Sequence, residues 1–185
     1  MALTKVNTGG LALDAVDNTI LKLDDDYALT GTVSGAGTIV QVVNVTTGAS
    51  ATGSVNMPYD DTIPQITEGT EFMTLAITPT NASNKLHIEV SAQYQNSASG
   101  HTCMALFVGT TANALASIGT YHAAANWGNH RTFSHFMAAG ATSELTFRVR
   151  IGRGGSGTVT FNGEGGSRDH GGVGASSITI TEIAV

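Results

Sequence analysis

A loop near the middle of the chain combines aromatic, amide and imidazole side chains, which makes it the segment best suited to hold a ligand. It contains Trp127, the single tryptophan of the 185 residues. Aromatic faces together with amide hydrogen bonds suit a flat, polar ligand such as a sugar. The candidate receptor-binding residues are Tyr121, His122, Asn126, Trp127, Asn129 and His130. The alternative is that Trp127 only holds a long loop against the core.

Two glycine-rich stretches follow later in the sequence. Residues 163–172 are a second exposed-loop candidate, because glycines allow unusual backbone angles and mobility. Residues 152–157 (GRGGSG) match the pattern G-x-G-x-x-G. A dinucleotide site needs a helix after this motif, whose N-terminus holds the pyrophosphate. A β-like run, TVTF, follows instead, so we predict a hairpin turn and no nucleotide site.

Six histidines invite a metal hypothesis, but their spacing does not favour one. His130 and His135 would face opposite sides of a continuous strand, because successive side chains alternate between its faces. No H-x-x-x-H helix and no cysteine pair accompanies them. We therefore expect surface or interface histidines, with no metal and no other cofactor. A site completed across a symmetry axis stays open as an alternative.

The paired carboxylates Asp60 and Asp61 are typical of a turn, since Pro58 and Pro64 lie close by. A glycosidase pair would need two carboxylates separated by a defined gap across a cleft. No Gly-x-Ser-x-Gly elbow is present, and the scattered serines and histidines define no catalytic triad. We therefore predict that the protein is not an enzyme.

The first 37 residues differ from the rest in charge and apolar content. They contain two lysines and five aspartates, but few apolar residues. The spacing of a calcium-binding loop is missing. We predict a short N-terminal arm over residues 1–37 that needs a partner to order it. Candidates for attachment to that partner, through a carboxylate patch meeting a basic surface, are Asp24, Asp25, Asp26 and Tyr27. The alternative is a strand with loops packed on the same domain.

The remaining residues, 38–185, form a succession of short strand-like runs separated by turn residues. In residues 144–151, apolar and polar side chains alternate, which predicts a strand with one dry face and one wet face. Near the C-terminus, Ile178 and Ile180 would lie on one face of a strand and Ile183 on the other. This change of face indicates a bulge or a frayed end near Glu182. With about eight to ten strands and no convincing helix, we predict an all-β, antiparallel β-sandwich that is jelly-roll-like.

One predicted strand is apolar on both parities. Residues 103–108 read CMALFV. Such a strand is either covered on both sides or lies at a subunit interface. We therefore take Met104, Leu106 and Val108 as candidates for a subunit interface.

Composition excludes several classes of function. The net charge is −6, whereas phosphate contacts need clustered Lys and Arg, so nucleic acid is not expected as a partner. No apolar run approaches the ~20 residues that span a bilayer, so no membrane insertion is expected. The first residues lack the apolar region of a signal peptide, and Cys103 is alone. We therefore expect a chain made in a cytoplasm.

Three segments resemble virion proteins. Residues 77–88 (ITPTNASNKLHI), 39–43 (IVQVV) and 174–183 (GASSITITEI) resemble the corresponding segments of tailed-bacteriophage fibre and virion-surface proteins. Residues 95–143 match no segment of that family. The resemblance implies a virion structural protein with a C-terminal β-sandwich domain, assembled as a homotrimer and made in the cytoplasm of a host bacterium.

Three functions follow as hypotheses. The leading one is a tail fibre or tip protein whose arm binds other virion proteins and whose loops contact a host surface glycan or protein. The alternative is a capsid decoration or head-fibre protein on the phage shell. A third, from another class, is a small glycan-cleaving enzyme that uses Asp60, Asp61 or Glu164.

Overall fold

A computed structural model describes residues 37–185 of the chain. The predicted N-terminal arm, apart from Gly37, lies outside the described residues. The attachment candidates Asp24, Asp25, Asp26 and Tyr27 therefore lie outside them as well.

The described residues form twelve β-strands and one short 3-10 turn, at His170–Gly172, and no α-helix. The strands are β1 (Ile39–Thr47), β2 (Ala51–Gly53), β3 (Thr70–Ile77), β4 (Lys85–Asn96), β5 (Gly100–Val108), β6 (Ala116–His122), β7 (Asn129–Ala138), β8 (Leu145–Arg153), β9 (Val159–Phe161), β10 (Gly163–Glu164), β11 (Ser167–Arg168) and β12 (Ser176–Ile183).

These strands build two main sheets. The first has the order β1-β12-β4-β7, and the short strands β9 and β2 extend it beside the end of β4. The second has the order β3-β8-β5-β6, and β10 and β11 form a separate hairpin. The chain passes from one sheet to the other between β3, β4 and β5 and again between β6, β7 and β8. All of these strand pairs are antiparallel, so the predicted all-β, antiparallel, jelly-roll-like sandwich is confirmed.

The core lies between the two sheets and follows the alternation of apolar residues. On β4, Leu86, Ile88 and Val90 are fully buried. On β8, Phe147 and Val149 are buried among them. Burial of each such side chain contributes about 1.5–3 kcal/mol relative to leaving it exposed, so these strands supply much of the stability of the fold.

The apolar strand β5 is covered on both faces by its own chain. Met104 and Leu106 are fully buried in the core between the sheets, and Val108 packs against the same core. The opposite face, which includes Phe107, is covered by the segment that carries the buried Met57. Met104 and Leu106 have no exposed surface to offer a partner. The prediction of a subunit interface at these residues is wrong, because a loop of the same chain supplies the second cover.

The last strand carries a carboxylate where an irregularity was predicted. Ile178, Ile180 and Glu182 all face inward, and β12 keeps one unbroken register with β4 over residues 177–183. The pairing of β12 with β1, in contrast, shifts register between Ile39 and Gln41, which lie opposite Ile183 and Glu182. An irregularity therefore does lie near Glu182, as predicted, but it lies in β1 and not in β12. The alternation of apolar residues is interrupted in β12 because a fully buried glutamate occupies the inward-facing position.

The sandwich has two distinct ends. The antiparallel registers place four connections together at one end, which we call the loop end: residues 48–69, 97–99, 123–128 and 154–175. The other end, which we call the terminal end, holds the connections 78–84, 109–115 and 139–144. There the Gly37 N–H donates to the Ala184 carbonyl at 2.8 Å, and the Ala184 N–H donates to the Thr38 carbonyl at 2.9 Å. Both ends of the described chain therefore leave the sandwich on the side opposite the longest loops.

Candidate functional site

A pocket of about 320 Å³ opens at the loop end. We call it the hydroxyl pocket, because its lining consists of hydroxyl, amide and glycine groups. The lining residues are Thr52, Ser97, Asn126, Thr158, Thr160, Gly165 and Gly166. It joins the two loops singled out in the sequence, the one with Trp127 and the glycine-rich one.

The floor of the hydroxyl pocket is set by strand register. Thr160 on β9 pairs with Thr52 on β2 and with Gln95 on β4. These three side chains therefore share the sheet face that points away from the core, since residues in register lie on the same face. Just before β9 begins, the Thr158 N–H donates to the Ser97 hydroxyl at 2.9 Å. This hydrogen bond fixes the connection 97–99 against the segment that leads into β9.

The β10–β11 hairpin forms one wall of the hydroxyl pocket. Gly165 and Gly166 both have positive φ, at 56° and 87°, a conformation that glycine adopts without steric cost. The Gly166 N–H donates to the Thr160 hydroxyl at 3.0 Å, and Gln95 Nε2 donates to the Gly163 carbonyl at 2.7 Å. The hairpin is thus tied to the strands beneath it at two points.

The loop that carries Trp127 forms another part of the wall. Asn126 has a φ of 57°, the left-handed region that asparagine tolerates better than most residues. Its N–H donates to the Asn96 carbonyl at 2.8 Å, which ties the loop to the end of β4. Trp127 follows directly and is 58% exposed, so an aromatic surface lies next to a residue of the hydroxyl pocket.

The hydrogen-bonding capacity of the hydroxyl pocket is only partly used. The hydroxyls of Ser97 and Thr160 each accept a backbone N–H, so each keeps its own proton free to donate. Next to Thr160, Gln95 is buried and its Oε1 atom has no partner among the described residues. A buried acceptor without a partner is unfavourable by about 1–3 kcal/mol. Gln95 is not among the residues that line the hydroxyl pocket, so this acceptor is not a group that a ligand there would contact.

His122 is a buried support of the loop and not a contact residue. Its Nε2 lies 2.7 Å from the Thr102 hydroxyl and its Nδ1 lies 3.0 Å from the Trp127 carbonyl. Burial lowers its pKa, which favours a neutral ring whose Nδ1–H donates to Trp127 and whose Nε2 accepts from Thr102. Asn129 donates to the same carbonyl at 3.1 Å. The prediction that His122 contacts a receptor is wrong, because its side chain is fully enclosed.

Tyr121 and His130 point to two different faces of the sandwich. Tyr121 is exposed on the outer face of the second sheet, where it packs beside His101 at a ring distance of 5.0 Å. His101 in turn stacks on Tyr59 at 4.0 Å. His130 is exposed on β7 of the first sheet, and its Nε2 lies 2.9 Å from the Ser91 hydroxyl. Of the six predicted receptor-binding residues, only Asn126 lines the hydroxyl pocket, and Trp127 is its exposed neighbour in the sequence.

The threonine and serine members of the hydroxyl pocket are absent from the sequence-based candidates. Thr52, Ser97 and Thr160 belong to segments far apart in the sequence, and only the pairing of β2 and β4 with β9 brings them together. The alternation in residues 158–161 predicts a strand but does not name its partners. The glycine-rich stretch 163–172 and the loop with Trp127 were the two signals in the sequence that pointed to this region.

The other candidate chemistries have structural explanations. The Asp60 carboxylate accepts from the Thr62 N–H at 2.9 Å and from the Thr62 hydroxyl, which makes it a turn-forming residue as predicted. Both hydrogen bonds lower the pKa of Asp60, and the one from the Thr62 hydroxyl has the larger effect. No group of three or more His, Cys, Asp or Glu within residues 37–185 could hold a metal ion. In the same part of the chain, no helix is long and apolar enough to cross a membrane.

No protein-family model matches the sequence, and no curated protein matches it. Among solved structures, Eiger TNF from S. frugiperda is similar at 12% identity and a TM-score of 0.44, over 77% of this chain and 93% of that one. The VP2 subviral particle of infectious bursal disease virus is similar at 12% identity and a TM-score of 0.35, over 78% and 38%. The enzymatically active domain of bacteriophage CBA120 tailspike protein 4 is similar at 17% identity and a TM-score of 0.28, over 68% and 19%. Likenesses this distant carry no argument about function.

Proposed function

We propose that the protein is a structural component of a tailed-bacteriophage virion, a tail fibre or tip protein that presents the loop end of its sandwich to the host surface. The observation that carries the proposal is that the domain has two different ends. The described chain begins and ends at the terminal end, whereas the hydroxyl pocket and Trp127 lie at the opposite end. A chain attached to a particle through its N-terminal residues would thus hold these loops outward.

The resemblance of residues 39–43, 77–88 and 174–183 to virion-surface proteins supports the same proposal. In the fold, the first and last of these segments belong to the paired strands β1 and β12. The middle one joins β3 to β4 at the terminal end. The segments that resemble the family therefore contribute two paired strands and a connection at the terminal end, and the unmatched residues 95–143 supply part of the loop end.

The same proposal includes a homotrimer. With β5 covered by its own chain, the exposed apolar side chains on the outer face of the first sheet become the interface candidates. Val42 on β1 and Phe136 on β7 lie in one row across the four strands, because Val42 pairs with Thr181, Thr181 with His87 and His87 with Phe136. Val42 and Phe136 are both exposed, although both are large and apolar. Burial against copies of the chain would remove this apolar surface from water.

Particle imaging tests the proposed function. An antibody against the purified protein should label intact particles at the tail, and the protein should bind host cells or their envelope polysaccharide. Labelling over the head would replace the tail fibre with a decoration or head-fibre role. The virion proposal is overturned if particles carry no label, and the fibre proposal fails if particles lacking the protein adsorb normally.

The proposed role is passive binding without catalysis. A glycan-cleaving enzyme would instead release products from host polysaccharide, and the Asp60→Asn, Asp61→Asn or Glu164→Gln variants would lose that release. We expect no product from the wild-type protein after prolonged incubation, as measured by the size distribution of the polysaccharide. A product that disappears in one of these variants would show that the protein is an enzyme.

A further inference from the structure

We propose that the hydroxyl pocket binds one uncharged sugar ring of a glycan, with the exposed face of Trp127 as a stacking surface beside it. The inference deepens the proposed function, on which it rests for the identity of the ligand as a host surface glycan. It does not depend on where the protein sits on the particle.

The absence of charge in the lining selects the class of ligand. None of the seven residues that line the hydroxyl pocket is ionisable, and Glu164 and Arg168 flank the Gly165–Gly166 turn without lining it. A carboxylate or phosphate group would leave water here without meeting a cation, which is strongly unfavourable. Neutral hydroxyl groups face no such penalty. The ligand is therefore a neutral sugar and not a uronic or sialic acid.

The free hydrogen-bonding groups match sugar hydroxyls. Ser97 and Thr160 can each donate a hydroxyl proton, because their oxygens already accept backbone N–H groups. The hydroxyls of Thr52 and Thr158 make no hydrogen bond to any described residue. The side-chain amide of Asn126 can both donate and accept. A sugar hydroxyl also both donates and accepts, so it can satisfy this mixed set where a purely apolar ligand cannot.

The size of the hydroxyl pocket limits the ligand to about one ring. Its volume of about 320 Å³ lies at the lower end of the ~300–1,000 Å³ of small-molecule sites. A longer glycan would therefore place one unit in the hydroxyl pocket and extend outward. Stacking on Trp127 suits such an extension, because aromatic rings bind the apolar face of a sugar while the hydroxyls stay solvated.

The walls of the hydroxyl pocket are held in place before any ligand binds. The Asn126 N–H is bonded to Asn96, the Trp127 carbonyl to His122, and the Gly166 N–H to Thr160. A site ordered in advance loses less conformational entropy on binding. This gain matters for a single sugar ring, which offers few contacts.

The direct test is titration calorimetry of the full-length protein with a panel of saccharides. The probes are neutral hexose and N-acetylhexosamine oligosaccharides, compared with oligosaccharides that contain uronic or sialic acid. We expect saturable binding of at least one neutral probe and at least tenfold weaker binding of the acidic ones. No binding of any neutral probe up to millimolar concentration, or a preference for an acidic probe, would overturn the inference.

Two matched variants locate the site without disturbing the fold. Thr158→Val removes a hydroxyl that has no protein partner, and Asn126→Gly removes an amide while glycine keeps the positive φ. Each should weaken binding of the neutral probe about five- to tenfold, as expected for the loss of one or two hydrogen bonds. Thr74→Val, on the exposed face of β3, is the control and should change nothing. Equal affinity in all three variants would place the ligand elsewhere and refute the inference.

Trp127 supplies a second, independent readout. Trp127→Ala should weaken binding about tenfold, whereas Trp127→Phe keeps an aromatic face and should stay within about threefold of wild type. Sugar binding by a protein that never labels particles would refute the virion proposal and leave this inference standing. Labelled particles with no binding of a neutral sugar would refute this inference alone.

Discussion

Glu182 shows how one buried charge can organise the terminal end. Its carboxylate accepts from Gln41 Nε2 and Asn84 Nδ2, each at 2.6 Å, and from the N–H and hydroxyl of Thr80 at 2.8 and 2.9 Å. Burial by itself raises the pKa of Glu182, but the hydrogen bonds from Gln41, Asn84 and Thr80 outweigh it and lower the pKa to about 2. The ionised carboxylate therefore holds β1, β12 and the connection 78–84 together.

The first prediction concerns this carboxylate. Glu182→Gln should lower the free energy of unfolding by about 2–3 kcal/mol, because the new amide cannot accept all of these donors. The stabilisation from the wild-type carboxylate is present above pH 4.5 and should be lost as the pH falls from 4.5 towards 2, since the unfolded state takes up the proton first. Denaturant unfolding across this pH range measures both effects.

Glu89→Gln is the matched control for Glu182→Gln. Glu89 is exposed on β4, so its substitution should change the stability by less than about 0.5 kcal/mol. Equal effects of the two substitutions would contradict the role assigned to Glu182.

A second residue-scale prediction concerns His122. Burial lowers its pKa below the ordinary 6.5, so the unfolded state binds the proton more readily than the folded state does. The stability that the neutral ring contributes is complete above pH 6.5 and should decline as the pH falls below it. His122→Gln should reduce this decline, as measured by unfolding at pH 7 and pH 5. The same pH dependence in wild type and variant would contradict the prediction.

At the scale of elements, the β10–β11 hairpin is shaped by one glycine. A Cβ atom at Gly163 would come within 1.8 Å of the Ser167 carbonyl oxygen, a backbone atom that cannot move aside without opening the hairpin. Gly163→Ala should therefore displace this wall of the hydroxyl pocket. We expect at least tenfold weaker sugar binding together with a loss of about 1–3 kcal/mol in stability.

Gly155→Ala is the control for the hairpin prediction. A Cβ atom at Gly155, in the same connection but outside the hairpin, would meet nothing within 4 Å. Calorimetry and thermal unfolding of the two variants should separate them clearly. If Gly163→Ala bound the neutral sugar as well as Gly155→Ala did, the hairpin would not be part of the site.

The elements also show which features the sequence could predict. The alternation in residues 144–151 correctly predicts which side chains of β8 face the core. A shift of one residue would turn every side chain to the other face, so an alternating pattern defines the buried face clearly. The double-sided apolar pattern of residues 103–108 had two explanations. The sequence could not distinguish them, since the cover over Phe107 comes from Met57, far away in the chain.

The sequence could not predict the hydroxyl pocket, for a related reason. Its members are ordinary threonines and serines whose significance arises only from the register of β2, β4 and β9. Asn126 and Trp127 could be found because tryptophan is rare and the surrounding residues are polar. His122 belongs to the same polar loop, and the sequence therefore predicted an exposed side chain. In the structure this side chain faces inward.

At the scale of the whole molecule, the proposed homotrimer would form through the outer face of the first sheet. Phe136 is 57% exposed there. In the proposed homotrimer, Phe136→Asp would bury a charge at the interface and should shift the protein to monomers in sedimentation velocity. Ile63→Asp, at a residue that is 56% exposed in the connection 48–69, should leave the assembly intact. A monomeric wild type, or a Phe136→Asp protein that stays trimeric, would contradict this prediction.

The hydrogen bonds between Gly37, Thr38 and Ala184 have a practical consequence for engineering. Because residues 37–38 and 184 lie side by side, a fluorescent protein fused after Val185 would emerge next to Gly37. In the proposed virion arrangement, such a tag would crowd the junction with the particle and leave the hydroxyl pocket accessible. A tag inserted within the exposed residues 154–156 would do the reverse, so the two fusions together would test the proposed orientation of the domain on the particle.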